Sequence, residues 1–358
     1  MIIKFLEAHK GDSILISHQD DEGTSRNILI DGGMSSTYFN SSYNQYGQLH
    51  LEIEKIKKRK EKIDLLILSH IDNDHIEGLL KWFSTDAKAY NLVGQVWFNS
   101  GKSIAQFFKK EENNDLRLNL KVPNTTYTGV AEAIEFEDYL LKHKIWDKKI
   151  IRQGDEFALF GVQLKILSPD NSQLKKLVGE YNKKTGDPVY TSGKKEDWAK
   201  NLKDIIQKET LDSFRFKQDT SVKNGSSITV LLTYAEKNFL FLADSHPDRV
   251  LKSLQELGYS KEKPIPVELF QISHHGSKSN MHKELLEVVK TNKYVISTDS
   301  SSHGHPHKAT LARIISVNPQ AVIYFNYENV KKSIFTEQDL NDFPNFETKL
   351  ISEYPVSK

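Results

Sequence analysis

Ser69-His70-Ile71-Asp72-Asn73-Asp74-His75 sets two imidazoles and two carboxylates close together, directly after the apolar run 63–68. A helical pattern takes over at 76–83, so the four polar groups occupy a strand-to-helix turn, where the flanking elements hold side chains rigidly. A solvated turn with an ordinary helix N-cap accounts for Asn73 or Asp74. It does not account for both histidines together with Asp72. His and Asp at short alternating spacing form the pattern expected for N/O ligation of a metal ion. An EF-hand is excluded: counting from Asp72, the position that must be Gly is Glu77, and the position that must be Glu is Phe83.

Upstream, residues 2–6, 13–17 and 27–30 read as strands, with Gly11-Asp12 as the turn between the first two and Asp31-Gly32-Gly33 closing the third. Residues 50–60 read as helix. Downstream, 92–98 is a further apolar run, 130–142 is amphipathic, and 150–167 suggests a short β meander around Gly154-Asp155 and Gly161. From about 169 to 225 the composition turns to Lys, Asp, Asn and Ser, with helical pattern at 197–208 and little to bury. This stretch reads as an excursion from the core: a mobile lid, a partner-binding insertion or a solvated loop region.

An ordered run follows. Residues 227–234 and 238–243 are β-like, the second ending in Asp244, with a helix at 247–257. Strand 267–273 ends in His274-His275-Gly276-Ser277 and precedes a helix at 283–290. Strand 293–297 leads through Asp299 to His303-Gly304-His305-Pro306-His307 and a helix at 309–316. Asp31, the His70 cluster, Asp244, the His274 pair and the His305 cluster thus each follow a strand-like run. They converge if those strand ends share one edge of the sheets. The remaining histidines, such as His9, His18 and His246, are treated as surface or supporting residues.

The bulk composition narrows the classes. Lys and Arg number 49 against 48 Asp and Glu, so net charge points to neither a nucleic-acid nor a membrane partner, and any basic surface must be local. With no cysteine there is no disulfide, no Cys nucleophile and no thiolate zinc site. The first residues lack a signal-peptide pattern, and the longest apolar runs, such as 239–243, are too short to span a bilayer. The expectation is a soluble, cytoplasmic protein with no membrane partner. Ser100-Gly101-Lys102-Ser103 is not a phosphate loop, because the nearest earlier glycine, Gly94, is spaced wrongly. The basic run Lys57-Lys58-Arg59-Lys60 with Lys62 reads as a solvated helix end or part of a nucleic-acid track.

Taken in order, residues 5–16 with Gly11-Asp12-Ser13, 28–33, 69–78, 226–232, 241–245, 274–277 and 304–307 resemble the metallo-β-lactamase fold. More specifically, they are similar to the soluble metallohydrolase domain of ComEC-type DNA-uptake proteins and their free-standing relatives. The pieces span residues 2 to about 318, weakest over 100–220. The resemblance implies an αββα four-layer sandwich with two mixed β-sheets, one domain over 1–358, a polar insertion or lid at about 169–225 and a C-terminal extension at about 327–358. Between the sheet edges it implies a dinuclear metal site. The family's second motif reads His-x-His-x-Asp-His; here Asp72 replaces the second His, and no His stands near Asn224-Gly225-Ser226, departures shared with ComEC-type members.

On this resemblance His70 and Asp72 hold one ion and Asp74 and His75 the other. Asp244 bridges them, while His274, with His275 as the alternative, and His305 complete the shells. Asp31, Asn224 and His303 support the ligands. Exchanging imidazole for carboxylate moves preference from Zn²⁺ toward Mn²⁺ or Mg²⁺. Two ions roughly 3.5–4 Å apart would generate a hydroxide at neutral pH and clamp the oxygens of a phosphoryl centre. Asp74, His275 and His305 are the expected catalytic groups, an imidazole proton transfer contributing about 10²–10⁴-fold. The expected function is a metal-dependent phosphodiesterase, a nuclease on single-stranded or otherwise unpaired DNA. The alternatives are a hydrolase of a small phosphoester, lactone or amide, and a metal-binding subunit of a larger complex, such as a defence system, with protein partners.

Overall fold

In the strand Ile14–Gln19, Ile14 and Ile16 enter one core and Leu15 another, and this period of two recurs along its neighbours. The computed structural model, which describes residues 1–111, 128–183 and 197–357, resolves the alternation into two mixed sheets stacked face to face. The first sheet takes β1 (Ile2–Phe5), β2 (Ile14–Gln19), β3 (Ser25–Ile30), β4 (Ile63–Ile67) and β5 (Val93–Trp97) in that spatial order. The pairs β1–β2 and β2–β3 are antiparallel, and β3–β4 and β4–β5 are parallel.

The second sheet takes β6 (Glu156–Leu159), β7 (Val162–Ser168), β8 (Thr229–Tyr234), β9 (Lys237–Phe241), β10 (Leu269–Gln271), β11 (Lys293–Ile296), β12 (Val322–Phe325) and β13 (Glu347–Leu350), again in spatial order. It is antiparallel from β6 to β9 and parallel from β9 to β13. The chain then crosses back: β14 (Glu353–Pro355) pairs with β1, Tyr354 opposite Ile3.

Side-chain parity builds the layers. Ile3, Ile14, Ile28 and Leu65 of the first sheet meet Val230, Leu232, Phe239 and Val295 of the second in one inter-sheet core. The opposite parity, Leu15, Leu29 and Leu66, packs under α1 (Gln48–Lys58), α2 (Asn73–Thr85), α3 (Gly101–Glu111), α4 (Val130–His143) and α5 (Asn171–Glu180). On the far side Leu231, Leu240 and Phe270 pack under α6 (Leu202–Glu209), α7 (Pro247–Glu256), α8 (Lys283–Val288) and α9 (Lys308–Val317). The result is the expected αββα sandwich. No helix among the described residues is long and apolar enough to cross a membrane.

Among the helices that arise where the sequence showed no helical pattern, α3 and α5 are the longest. α3 starts at the Ser100–Ser103 stretch, and Ser100 Oγ accepts from the Ser103 N–H at 3.0 Å, which is helix capping. α5 is opened by a capping box in which Asp170 accepts from the Gln173 N–H. The stretch 169–225 also buries more than its composition suggests: Leu174, Leu177 and Val178 enter the first helical layer and Leu202 and Ile205 the second. Some of its charges are buried too: Asp197 accepts from the Ala309 N–H, and Glu209 pairs with Arg313. Residues 184–196, on which part of the lid expectation falls, lie outside the described residues. The basic run at Lys57–Lys60 sits near the start of β4, at the end of that strand away from His70, with Lys57 paired to Glu54 and Asp86.

One buried ion pair ties α6, α9 and the C-terminal region together. Lys308 and Asp339 have fully buried side chains in direct contact. Lys308 Nζ also donates to the carbonyls of Trp198 and Lys200, and Asp339 accepts from the Leu202 and Thr336 N–H groups. Removing one partner strands a charge in the core. Lys308→Ala is therefore expected to cost about 3–5 kcal/mol, read from the urea midpoint at unchanged slope. A loss below about 1 kcal/mol would contradict this account of the pair.

The topology gathers chemistry at one edge. β3 and β4 run parallel and end at Asp31 and His70; β9, β10 and β11 run parallel and end before Asp244, His274 and the 297–305 loop. β2 and β8 are antiparallel to their neighbours, so their starts bring Asp12 and Asn224 to the same edge.

Candidate metal centre

Asp244, 2 % exposed, stands between four imidazoles. Its Oδ1 lies 3.5 Å from His75 Nε2 and 3.7 Å from His275 Nε2; its Oδ2 lies 3.7 Å from His70 Nε2 and 3.5 Å from His274 Nε2. Asp74 Oδ2 adds a carboxylate 3.8 Å from His275 Nε2, and Asp72 Oδ2 another 3.6 Å from His70 Nε2. These separations exceed an ordinary hydrogen bond of about 2.9 Å and match atoms that share a cation. Asp12, His75, Asp244 and His275 each place a ligand atom within 4.8 Å of the others. The Nε2 atoms of His70, His75 and His275, with Oδ1 of Asp244, are buried and have no hydrogen-bond partner. Leaving each such atom unpaired costs about 1–3 kcal/mol. The donor set of imidazole and carboxylate fits divalent cations on either side of Asp244.

The other ring nitrogens are fixed from behind. His75 Nδ1 donates to Asp31 Oδ2 at 2.8 Å, His275 Nδ1 to the Ser297 carbonyl at 3.0 Å, and His274 Nδ1 to Asn280 Oδ1 at 2.9 Å. His70 Nδ1 donates to Ser69 Oγ at 3.0 Å, and Ser69 passes the interaction on by donating to Asp31 Oδ2 at 2.6 Å. With Nδ1 engaged from behind, each Nε2 is turned toward Asp244. Asp31 is wholly buried and also accepts the Ser69 N–H, so one carboxylate sets two of the four rings.

Asp72 occupies the N-cap position of α2, yet its side chain makes no cap hydrogen bond. Its carboxylate turns instead to His70 and to a direct ion pair with Lys223. Capping is therefore not what Asp72 is for. Backbone at the site is held in the left-handed region, costly without glycine, at Asp31, Ala243, His274, His275 and His303.

Electrostatics follow the geometry. Burial opposes charge on the His75 ring, but Asp244 and Asp31 hold it well above its usual range. His274, likewise buried, is raised to about 10 by Asp244 and Asp219. Asp244 is driven well below the carboxylate range, its burial outweighed by His274, His275 and His75. His305 goes the other way: burial and the nearby His274, His307, His275 and His303 keep it neutral.

The centre opens into a cleft of about 480 Å³ whose walls include Lys10, Asn73, Thr128, Ser221, Lys223, Ser302 and His303. The His305 ring lies 4.8 Å from that of His274, and the exposed His303 5.8 Å further out. Asn224 sits beside His274, its Nδ2 donating to Asp219 Oδ2 at 2.7 Å. The loop carrying His303 and His305 is strapped to the β1–β2 turn: His9 Nδ1 lies 3.3 Å from Asp299 Oδ2, and the Asp299 N–H donates to the His9 carbonyl. His9 is raised by the Asp299 hydrogen bond, so its contribution is complete below its unfolded pKa near 6.5 and fades as pH rises through the folded value. Asp299 is lowered: burial is outweighed by His9 and Ser301. Its contribution is present above about 4 and is lost as pH falls through the folded value. Asp299→Asn should therefore lower Tm most at about pH 5–6, with the gap from wild type narrowing on both sides. A pH-independent gap would remove the ion pair from the account.

The structure thus brings His70, Asp72, Asp74, His75, Asp244, His274 and His275 around one point, with Asp31 behind, Asn224 beside, His305 above and His303 at the rim. Sequence reasoning missed Asp12, Asp219, Gln271 and Asn280. Asp12 carried a signal in the Gly11-Asp12-Ser13 turn beside a strand. Asp219 lies in the polar stretch, where one more acid is inconspicuous.

Residues 9–109 match the family model described as the metallo-beta-lactamase superfamily. No curated protein matches the chain. The matched segment contains His70 through His75, and together with the buried histidine and carboxylate group it supports a metal-dependent hydrolase that uses divalent ions.

Proposed function

We propose that the protein is a metal-dependent phosphodiesterase that cleaves unpaired DNA. The observation that carries the metal-dependent reading is Asp244, with each oxygen facing its own pair of imidazole Nε2 atoms. One position would be held by His70, Asp72, His274 and Asp244 Oδ2, the other by Asp74, His75, His275 and Asp244 Oδ1. On this assignment His274 and His275 are both ligands, and His305 is left as the imidazole that meets substrate. When bound, the two cations supply water activation and charge neutralisation at phosphorus.

The chain's own residues do the rest. Asp31 and Ser69 orient His75 and His70, and Lys223 pins one face of Asp72. Lys10, which has no ion-pair partner among the described residues, and Lys223 place positive charge on the cleft wall, where a phosphodiester enters. The neutral His305 can donate an N–H hydrogen bond to, or accept a proton from, a group at the scissile bond, but it is not a cationic acid. Each position sets two carboxylates beside two imidazoles, and the carboxylate that Asp72 contributes shifts preference toward Mn²⁺ or Mg²⁺.

The cleft volume of about 480 Å³ is also that of a small-molecule site, which favours a second reading: a hydrolase of a small phosphoester. One comparison separates the two. With Mn²⁺ the protein is expected to cut labelled single-stranded DNA, and Asp74→Ala to lose that activity. Turnover of bis-(p-nitrophenyl) phosphate with intact DNA would favour the second reading. Metal bound but both substrates untouched would leave a metal-holding subunit.

A further inference from the structure

Asp12 is not accounted for by the two ligand sets above. It closes the turn before β2 and is buried beneath the centre, on the side facing the inter-sheet core. Its Oδ2 accepts from Gln271 Nε2 at 2.7 Å, while its Oδ1 is buried with no hydrogen-bond partner. That free oxygen lies 3.8 Å from His275 Nδ1, which already donates to the Ser297 carbonyl and so does not require it. The ligand atoms of Asp12, His75, Asp244 and His275 fall within 4.8 Å of one another. Opposite ligands of a six-coordinate cation with bonds of about 2.1–2.2 Å stand about 4.2–4.4 Å apart, so a group spanning no more than 4.8 Å is close to the size of one coordination sphere. Nor is a charge needed to hold Gln271, since an amide oxygen would accept the same hydrogen bond.

We propose that Asp12 gives a carboxylate oxygen to the cation held by His75, His275 and Asp244. That position then draws on Asp12, Asp74 and Asp244 against two imidazoles, whereas the position at His70 and His274 draws on Asp72 and Asp244. The His75 position is the harder of the two and is the one that takes Mn²⁺ or Mg²⁺ over Zn²⁺. This rests on the metal-centre reading given above.

The test is calorimetric titration of the metal-stripped protein with Mn²⁺ and, separately, Zn²⁺, for wild type and Asp12→Asn. Asparagine keeps the side-chain shape and the Gln271 contact while removing the charge. Wild type is expected to bind two Mn²⁺. Asp12→Asn is expected to bind one as before and the second about tenfold or more weaker, with Zn²⁺ less affected. Two Mn²⁺ bound by the variant with wild-type affinity would overturn the role of Asp12 while leaving the metal centre intact. No binding by wild type would overturn both. Should the variant not fold, a manganese-soaked wild-type crystal decides: Asp12 Oδ1 within about 2.3 Å of the ion supports the assignment, and beyond about 3.5 Å refutes it.

Discussion

Asp244→Asn is expected to abolish turnover, by about 10³-fold or more, and to leave the protein unable to hold two ions together. The substitution preserves volume but replaces one of two oxygens that each face a pair of imidazoles. An amide nitrogen turned toward either pair presents N–H groups to lone pairs that point inward, so one position is lost whichever way the amide lies. The same change removes the leading charge that lifts His75 and His274, and both rings should titrate closer to the ordinary histidine range. Metal content by mass spectrometry, steady-state rates and NMR titration of the rings read the three consequences independently. A variant that keeps two ions and near-normal rates would show that Asp244 does not bridge.

Gly11→Ala should be nearly as damaging, for a backbone reason. A Cβ at Gly11 would fall 1.7 Å from the Asp74 carbonyl oxygen and 2.7 Å from its carbonyl carbon. Neither is the end of a flexible side chain, so either the β1–β2 turn or the first turn of α2 must move. The first carries Asp12 and the second Asp74. We expect a stability loss of about 3 kcal/mol and a rate loss of about 10²-fold, the scale of a 1 Å misplacement at a reacting centre. Gly23→Ala is the control: its φ of +78° carries some strain, but nothing lies within 4 Å of the added carbon. Equal effects at the two positions would mean that the contact with Asp74 is not what matters.

Much of this site could be read from the chain because its residues stand at strand ends, and strand ends announce themselves. The runs 63–68, 238–243 and 267–273 are strand-like, and the polar residues that follow them, His70 to His75, Asp244 and the His274 pair, meet at one edge once β3 with β4, and β9 with β10, pair in parallel. Residues acting from behind were harder to see. Asp219 and Asn280 meet at His274 from segments about sixty residues apart, a contact no local pattern records. Asp12 sits at the start of a strand, not after one, so only the antiparallel pairing of β2 with β3 brings it to the site. α3 escaped notice behind the likeness of Ser100–Ser103 to a phosphate loop, and α5 because Asp170 caps a helix in a stretch whose composition reads as loop. The choice between His274 and His275 could not come from spacing, since adjacent residues fit either role. Left-handed backbone at both turns their rings to different oxygens of one carboxylate.

The most direct measurement is anomalous scattering from crystals soaked in manganese. Two peaks are expected, one on each side of Asp244, one within bonding distance of His75 and His275 and the other of His70 and His274. A single peak remote from Asp244, or none at full soak, would contradict the paired-cation centre and with it the hydrolytic chemistry assigned to this edge of the sheets.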